Sequence, residues 1–385
     1  MAIGKIAIIS EFNIDNINYG NRLQAFALNR FLVKSYSKCK IEYLYFNFSS
    51  KNLRTKKRNL IEQSEFICKF FYKKIFIKKL YSGSERRKEK FQRFSERNMS
   101  LIESAYSWDD LEKHDFDAII VGSDIVWVQF KNFINRLKFL DFASNTSFSR
   151  IAYAASFGRD WIPKENILEM KRCLEKYKAI SVREASSVKL LKDIGINAVH
   201  TLDPTLLLDV SEYEDLEEQP CEILEVDLEK DRYIFTYLLG TDSKMREQIT
   251  RWAHKRGFLI VTIPFASGWD NKVDSSYGDI RVNDCSPENF LWLVHYAEYI
   301  ITDSFHATAF STIFRKKFVV LERKTRIDIN NRMIDFLRTI EQTDKKISSL
   351  ELEKIDNMKW DYEQIYELLN EKKKFSEEFL KEALT

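Results

Sequence analysis

Residues 299–322, YIITDSFHATAFSTIFRKKFVVLE, constrain the fold more than any other part of the chain. Tyr299-Ile300-Ile301-Thr302 is a β-branched run of the kind buried in a parallel sheet. Asp303-Ser304 supplies a helix N-cap, and apolar residues recur at helical spacing from Ala307 to Phe314. Arg315-Lys316-Lys317 brings positive charge to the helix end, and Phe318-Val319-Val320-Leu321 restarts the strand pattern. Strand, helix and strand in so short a span predict a βαβ unit, which in turn requires a parallel sheet with covered faces. His306 falls in the first turn of the helix, at the carboxyl end of a strand. Open α/β sheets bind ligands at that edge, so His306 is a candidate site residue rather than one more satisfied histidine.

The alternation of strand and helix extends through all 385 residues, a length beyond one ordinary domain. Ile6-Ala7-Ile8-Ile9 reads as the first strand; it is too short for a signal-peptide core and Glu11 follows almost at once. Next comes Asn18-Tyr19-Gly20-Asn21 at the entry to a helix. A glycine there lets backbone approach a ligand, and asparagines can donate to phosphate or sugar oxygens. No G-x-G-x-x-G is present, so a dinucleotide site is not supported. The strand over 117–121 runs into Gly122-Ser123-Asp124, where Ser123 and Asp124 either contact a ligand or cap the next helix. The strand over 179–182 exits at Arg183-Glu184, the same kind of edge as His306.

Residues 209–231 hold eleven acidic residues and one lysine with little periodicity, which reads as an interdomain linker. The expected architecture is α/β: two doubly wound, Rossmann-like domains, 1–208 and 232–345, facing each other across a cleft, as in GT-B glycosyltransferases. Residues 346–385 read as charged amphipathic helix.

The net charge of +3 is unevenly spread. Residues 51–97 carry sixteen Lys/Arg against five Asp/Glu, interleaved with aromatics, and read as an amphipathic helical insertion. Such a segment either turns its aromatics to the core or lies on an anionic membrane. Five cysteines without C-x-x-C spacing fit a reducing, cytoplasmic compartment, and no run approaches membrane-spanning length. The five histidines are scattered without metal-ligand spacing, so no metal or cofactor is expected, and no nucleic-acid partner.

Taken in order, Asn18-Tyr19-Gly20-Asn21, Gly122-Ser123-Asp124 with Trp127, 153–158 (YAASFG), Ser181-Val182-Arg183-Glu184, Leu202-Asp203-Pro204-Thr205 and Thr302-Asp303-Ser304-Phe305-His306 resemble the polysaccharide pyruvyl transferase family over about residues 10–340. The resemblance implies phosphoenolpyruvate as donor and a sugar, free or lipid-linked, as acceptor of a pyruvyl ketal in surface polysaccharide synthesis. It implies His306 and Asp124 in catalysis, and Arg183 as the clamp on the donor's anionic groups, with Asn18, Tyr19, Gly20, Asn21, Ser123, Ser304, Phe305 and Arg332 around the substrates. Some members carry arginine where this chain has Ser304, so Arg315, Arg323, Arg326 and Arg332 are candidates to supply that charge. A nucleotide-sugar glycosyltransferase and a non-catalytic carbohydrate-binding protein of the same fold are the competing readings.

Overall fold

A computed structural model describes residues 4–12, 16–44, 82–99, 116–128, 136–141, 148–224, 231–266, 272–323 and 330–385. In the first domain β1 (Lys5–Ile9), β2 (Lys40–Tyr43), β3 (Ala118–Val121), β4 (Ser149–Ala155), β5 (Ala179–Val182) and β6 (Val199–His200) form one parallel sheet in the order β2-β1-β3-β4-β5-β6. β3, Ala-Ile-Ile-Val, is buried at every position, as a strand covered on both faces requires. The second sheet is also parallel and comprises β7 (Tyr233–Tyr237), β8 (Leu259–Thr262), β9 (Ile280–Arg281), β10 (Tyr299–Thr302), β11 (Lys317–Leu321) and β12 (Lys346–Ile347), ordered β12-β11-β10-β7-β8-β9. Numbered from its own first strand, that order is 3-2-1-4-5-6, the doubly wound arrangement. The expected two-domain α/β architecture is therefore the one observed, and the βαβ unit of residues 299–322 lies at the centre of the second sheet.

Strand order reverses between β1 and β3 in one sheet and between β7 and β10 in the other. At such a switch point the connections leave to opposite faces and open a crevice beyond the strand ends.

Among the described residues, the α-helices longer than one turn are α1 (Tyr19–Ser35), α2 (Ser82–Asn98), α3 (Ile167–Leu174), α4 (Ala185–Asp193), α5 (Ser243–Lys255), α6 (Pro287–Tyr296), α7 (Phe305–Ile313), α8 (Asn331–Thr339) and α9 (Tyr362–Ala383). Several of them join the domains. Tyr19 at the start of α1 is fully buried, stacks on Phe290 of α6 at 5.0 Å, meets Tyr237 edge-on, and donates its hydroxyl to the Cys285 carbonyl at 2.9 Å. One apolar cluster accordingly runs from Ile6 and Leu23 to Phe290 and Phe310 without a break between domains.

α2 is the described part of the basic stretch; residues 51–81 lie outside the described residues. Its Phe91 and Phe94 are fully buried, and Arg87 donates to the carbonyls of Pro264 and Asn283 in the second domain. The acidic connection is likewise packed: Tyr213 is buried and donates to the Thr205 carbonyl at 2.8 Å, and Glu217 lies 2.8 Å from His295 of α6. α9 straps both domains. Tyr366 donates to the Ile313 carbonyl at 2.6 Å, and further along Ser376 accepts from the amide of Leu202 at 3.0 Å. Among the described residues no helix is long and apolar enough to cross a membrane.

Candidate active site

The two switch points face each other across a cleft of about 510 Å³. The first domain contributes Glu11 and Asn18 from beyond β1, and Asp124 and Val128 from beyond β3; the second contributes Tyr237 at the end of β7, Leu239 just beyond it, and Ser304, Phe305 and His306 from beyond β10. Arg323, after β11, and Arg332, on α8, complete the second wall. A groove of about 740 Å³ along α5, lined by Arg246, His254 and Asp279, holds none of the motif residues.

His306 is 7% exposed and enters the cleft at the first turn of α7. Its Nε2 turns towards Asp203, 3.6 Å from Oδ2, an ion-pair distance that is too long for a hydrogen bond. The other edge of the ring lies over Gly20. A Cβ at that position would stand 2.1 Å from His306 Nδ1, so the glycine admits the imidazole of the opposite domain. This close approach requires a glycine.

Asp203 is fully buried. Its Oδ1 accepts from the amide and hydroxyl of Thr205, while Oδ2 lies 3.1 Å from both Arg183 and the Ser123 hydroxyl. Burial alone would raise its pKa; the neighbouring His306, Arg183 and the Thr205 amide outweigh that and hold the carboxyl well below the usual range. Asp124 adopts a left-handed φ of 67°, and its carboxylate takes an N–H from Asn21 and another from Arg183 at 3.2 Å. Burial raises its pKa, but Arg183, His306 and Arg332 together lower it below the ordinary value.

Arg183 does not line the cleft. Its guanidinium is enclosed by Asp124, Asp203 and Glu184 at 3.0 to 3.2 Å and stacks on the Phe305 ring at 4.3 Å. Three carboxylates around one guanidinium leave it little attraction for a further anion. Arg332 reaches across from the second domain to within 4.0 Å of Asp124 Oδ1. Burial, with Arg183 nearby, pushes its guanidinium down to about 10, and it remains charged at neutral pH. Arg323 is held by Asp303, whose carboxylate also accepts the amides of Leu239 and Gly240 at 2.7 Å. Ser304 occupies the N-cap position of α7 but makes no side-chain cap hydrogen bond, contrary to the capping expected of it. Its hydroxyl and the first-turn amides of α7 thus share the wall with two arginines.

The other residues expected at the site have structural partners, and Asn18 and Asn21 also line the cleft. Tyr19 belongs to the interdomain core. Ser123 is buried behind the cleft on Asp203. Asn18 caps α1 by accepting from the Asn21 amide, and Asn21 is engaged by Asn16 as well as by Asp124. Arg315 stacks on Tyr366 away from the cleft, and Arg326 lies outside the described residues.

The sequence profile of the polysaccharide pyruvyl transferase family matches residues 18–325, from Asn18 at the α1 cap to the exit of β11. The chain belongs to that family. Of this family member's sequence landmarks, Asn18, Asn21, Asp124 and Ser304 to His306 line the cleft, and Arg183, Asp203 and Ser123 pack behind them. Asp203 divides its carboxylate, one oxygen holding the turn at Thr205 and the other facing Arg183 and His306. No curated protein matches the chain in sequence. In fold, it is similar to a UDP-N-acetylglucosamine 2-epimerase from Rickettsia bellii, with TM-score 0.52 and 11% identity over 98% of this chain and 95% of that one. It is also similar to the UDP-GlcNAc 2-epimerase of Methanocaldococcus jannaschii, TM-score 0.50 and 15% identity over 92% of each chain. At such identity the likeness establishes the GT-B-like fold alone.

Proposed function

We propose that this transferase moves the pyruvyl group of phosphoenolpyruvate onto two hydroxyls of a sugar, forming a ketal during synthesis of a surface polysaccharide. The observation that carries the reading is a single cleft in which His306, backed by the Asp203 carboxylate, stands beside two arginines and an uncapped helix start. Phosphoenolpyruvate bears a carboxylate and a phosphate. Planar guanidinium groups bind two oxygens at once, and a helix N-terminus adds N–H donors and a favourable dipole. Arg323, Arg332, Ser304 and the first turn of α7 suit that donor, with Arg332 and Arg323 in the role first given to Arg183.

The chemistry requires a proton at the methylene carbon, addition of a sugar hydroxyl at C2 with loss of its proton, departure of phosphate, and closure by a second hydroxyl. Imidazole can give or take a proton near neutrality. With Nε2 turned towards Asp203, the carboxylate supplies the counter-charge when the ring is protonated. Asp124, bound to Arg183 and Asn21, serves better to hold Arg332 than to transfer a proton. No cofactor enters the reaction.

The basic residues of 51–81 suit contact with an anionic membrane at its cytoplasmic face, where a lipid-linked acceptor would be found. α2, with its aromatics buried, lends this no support. Sedimentation with anionic vesicles tests it: binding at low salt, lost when Lys73, Lys74, Lys78 and Lys79 are changed to Glu.

The decisive experiment for the donor is thermal stabilisation by phosphoenolpyruvate and by UDP, since a ligand selective for the native state stabilises it by about 2.7 kcal/mol at 100 times its Kd. Stabilisation by phosphoenolpyruvate alone is expected. Stabilisation by UDP alone would transfer the protein to the nucleotide-sugar enzymes.

A further inference from the structure

The two walls of the cleft differ in chemistry. Its cations other than Lys138, which pairs with Glu11, belong to the second domain, whereas the first-domain wall sets Ile125, Val128, Asn18 and Asn21 beside two carboxylates, Glu11 and Asp124, that are paired with Lys138 and Arg183. Beyond that wall runs the loop after β4, and it is fixed rigidly to the site. Ser156 donates to Glu184, the residue that pairs with Arg183, and accepts from the Gly158 amide. Gly158, at φ 68°, packs so closely on Ile125 that a Cβ would stand 2.8 Å from its Cγ2. Arg159, only 7% exposed, donates to the Val128 carbonyl and places its guanidinium 4.5 Å from the centroid of the Trp161 ring.

Trp161 itself is 48% exposed. Singly exposed apolar side chains are ordinary, and Leu168, at 81%, is one. Trp161 differs because one side of its ring is held by a buried cation that is bonded to the cleft wall. The indole is therefore a platform fixed through Arg159 to the Val128 end of the first-domain wall, apolar on its open face and polar at its edge. A pyranose ring has the matching surface, a face of C–H groups bordered by hydroxyls.

We propose that Trp161 is the stacking platform for a sugar ring of the acceptor, lying across the first-domain wall while the anionic donor occupies the second. This rests on the transferase reading above for the donor, but the sugar contact can be measured separately. The test uses the full chain as wild type, Trp161→Ala and Trp161→Phe, with saturation-transfer NMR against a panel of methyl hexosides and methyl N-acetylhexosaminides, in the presence of phosphoenolpyruvate. Thermal stabilisation by phosphoenolpyruvate is recorded for each variant. The expected result is that at least one glycoside binds wild type, that its affinity falls about tenfold in Trp161→Ala and is largely kept in Trp161→Phe, and that stabilisation by phosphoenolpyruvate is the same in all three. Equal glycoside affinity in Trp161→Ala, or a wild type that binds phosphoenolpyruvate but no glycoside of the panel, overturns the proposal. If glycoside binding depends on Trp161 while phosphoenolpyruvate fails to stabilise wild type, the platform stands and the donor assignment falls.

Discussion

At the scale of the residue, the cleft depends on a side chain that is absent. Gly20 leaves room for His306, and any Cβ there would overlap the imidazole. Gly20→Ala is expected to displace the ring and lower turnover about 100-fold, the effect of a misplacement near 1 Å. His306→Ala, tested in the same phosphoenolpyruvate-dependent assay, should lose about two to four orders of magnitude with the fold intact. A folded variant of either kind with wild-type turnover would remove His306 from the chemistry. Asp203 carries a separate pH signature. Its pKa is depressed in the folded state, so the stability it contributes is present above its unfolded value of about 3.9 and is lost as pH falls below it. Asp203→Asn should unfold more easily at neutral pH, because Arg183 loses a buried partner, and should show a flatter fall in melting temperature on acidification. A parallel fall in both proteins would mean that other carboxylates govern the acid limb.

At the scale of the element, α8 carries Arg332 to the opposite domain, and Asp335 on the same helix fixes where it lands. Asp335 accepts from the amide and hydroxyl of Ser186 at 3.1 and 2.7 Å, capping the start of α4 across the domain boundary. Asp335→Ala should cost about 1 kcal/mol of stability and raise the KM for phosphoenolpyruvate more than it lowers kcat. An unchanged KM would separate α8 from the donor site. Much of the element pattern was legible in the sequence. The run 299–302, the helix after it and the run 318–321 carry their own periodicity, and a histidine at a strand exit points to a ligand edge wherever the strand lies in the sheet. The enclosure of Arg183 was not legible, because Asp124 and Asp203 stand 59 and 20 residues away and meet it only through the fold. The same limit applies to Phe91 and Phe94, whose lysine-rich surroundings suggest a surface that packing against both domains denies.

At the scale of the whole molecule, the two sheets share one apolar cluster through Tyr19, Phe290 and Phe310. Domains joined by polar contacts move by default, and a large apolar interface removes that freedom. Calorimetry should therefore record one unfolding transition for the described body, and Tyr19→Ala should lower it by several degrees through loss of an interdomain aromatic. Two resolved transitions in wild type would show that the domains unfold independently.

The strap made by α9 also bears on how the protein is made. Ser376 follows every residue of the cleft in the chain, yet it supplies the acceptor for the amide of Leu202, next to Asp203. A ribosome that has delivered His306, Asp203, Arg323 and Arg332 has thus still to deliver the helix that secures the segment beneath them. The cleft residues therefore gain this support only once residue 376 has been made.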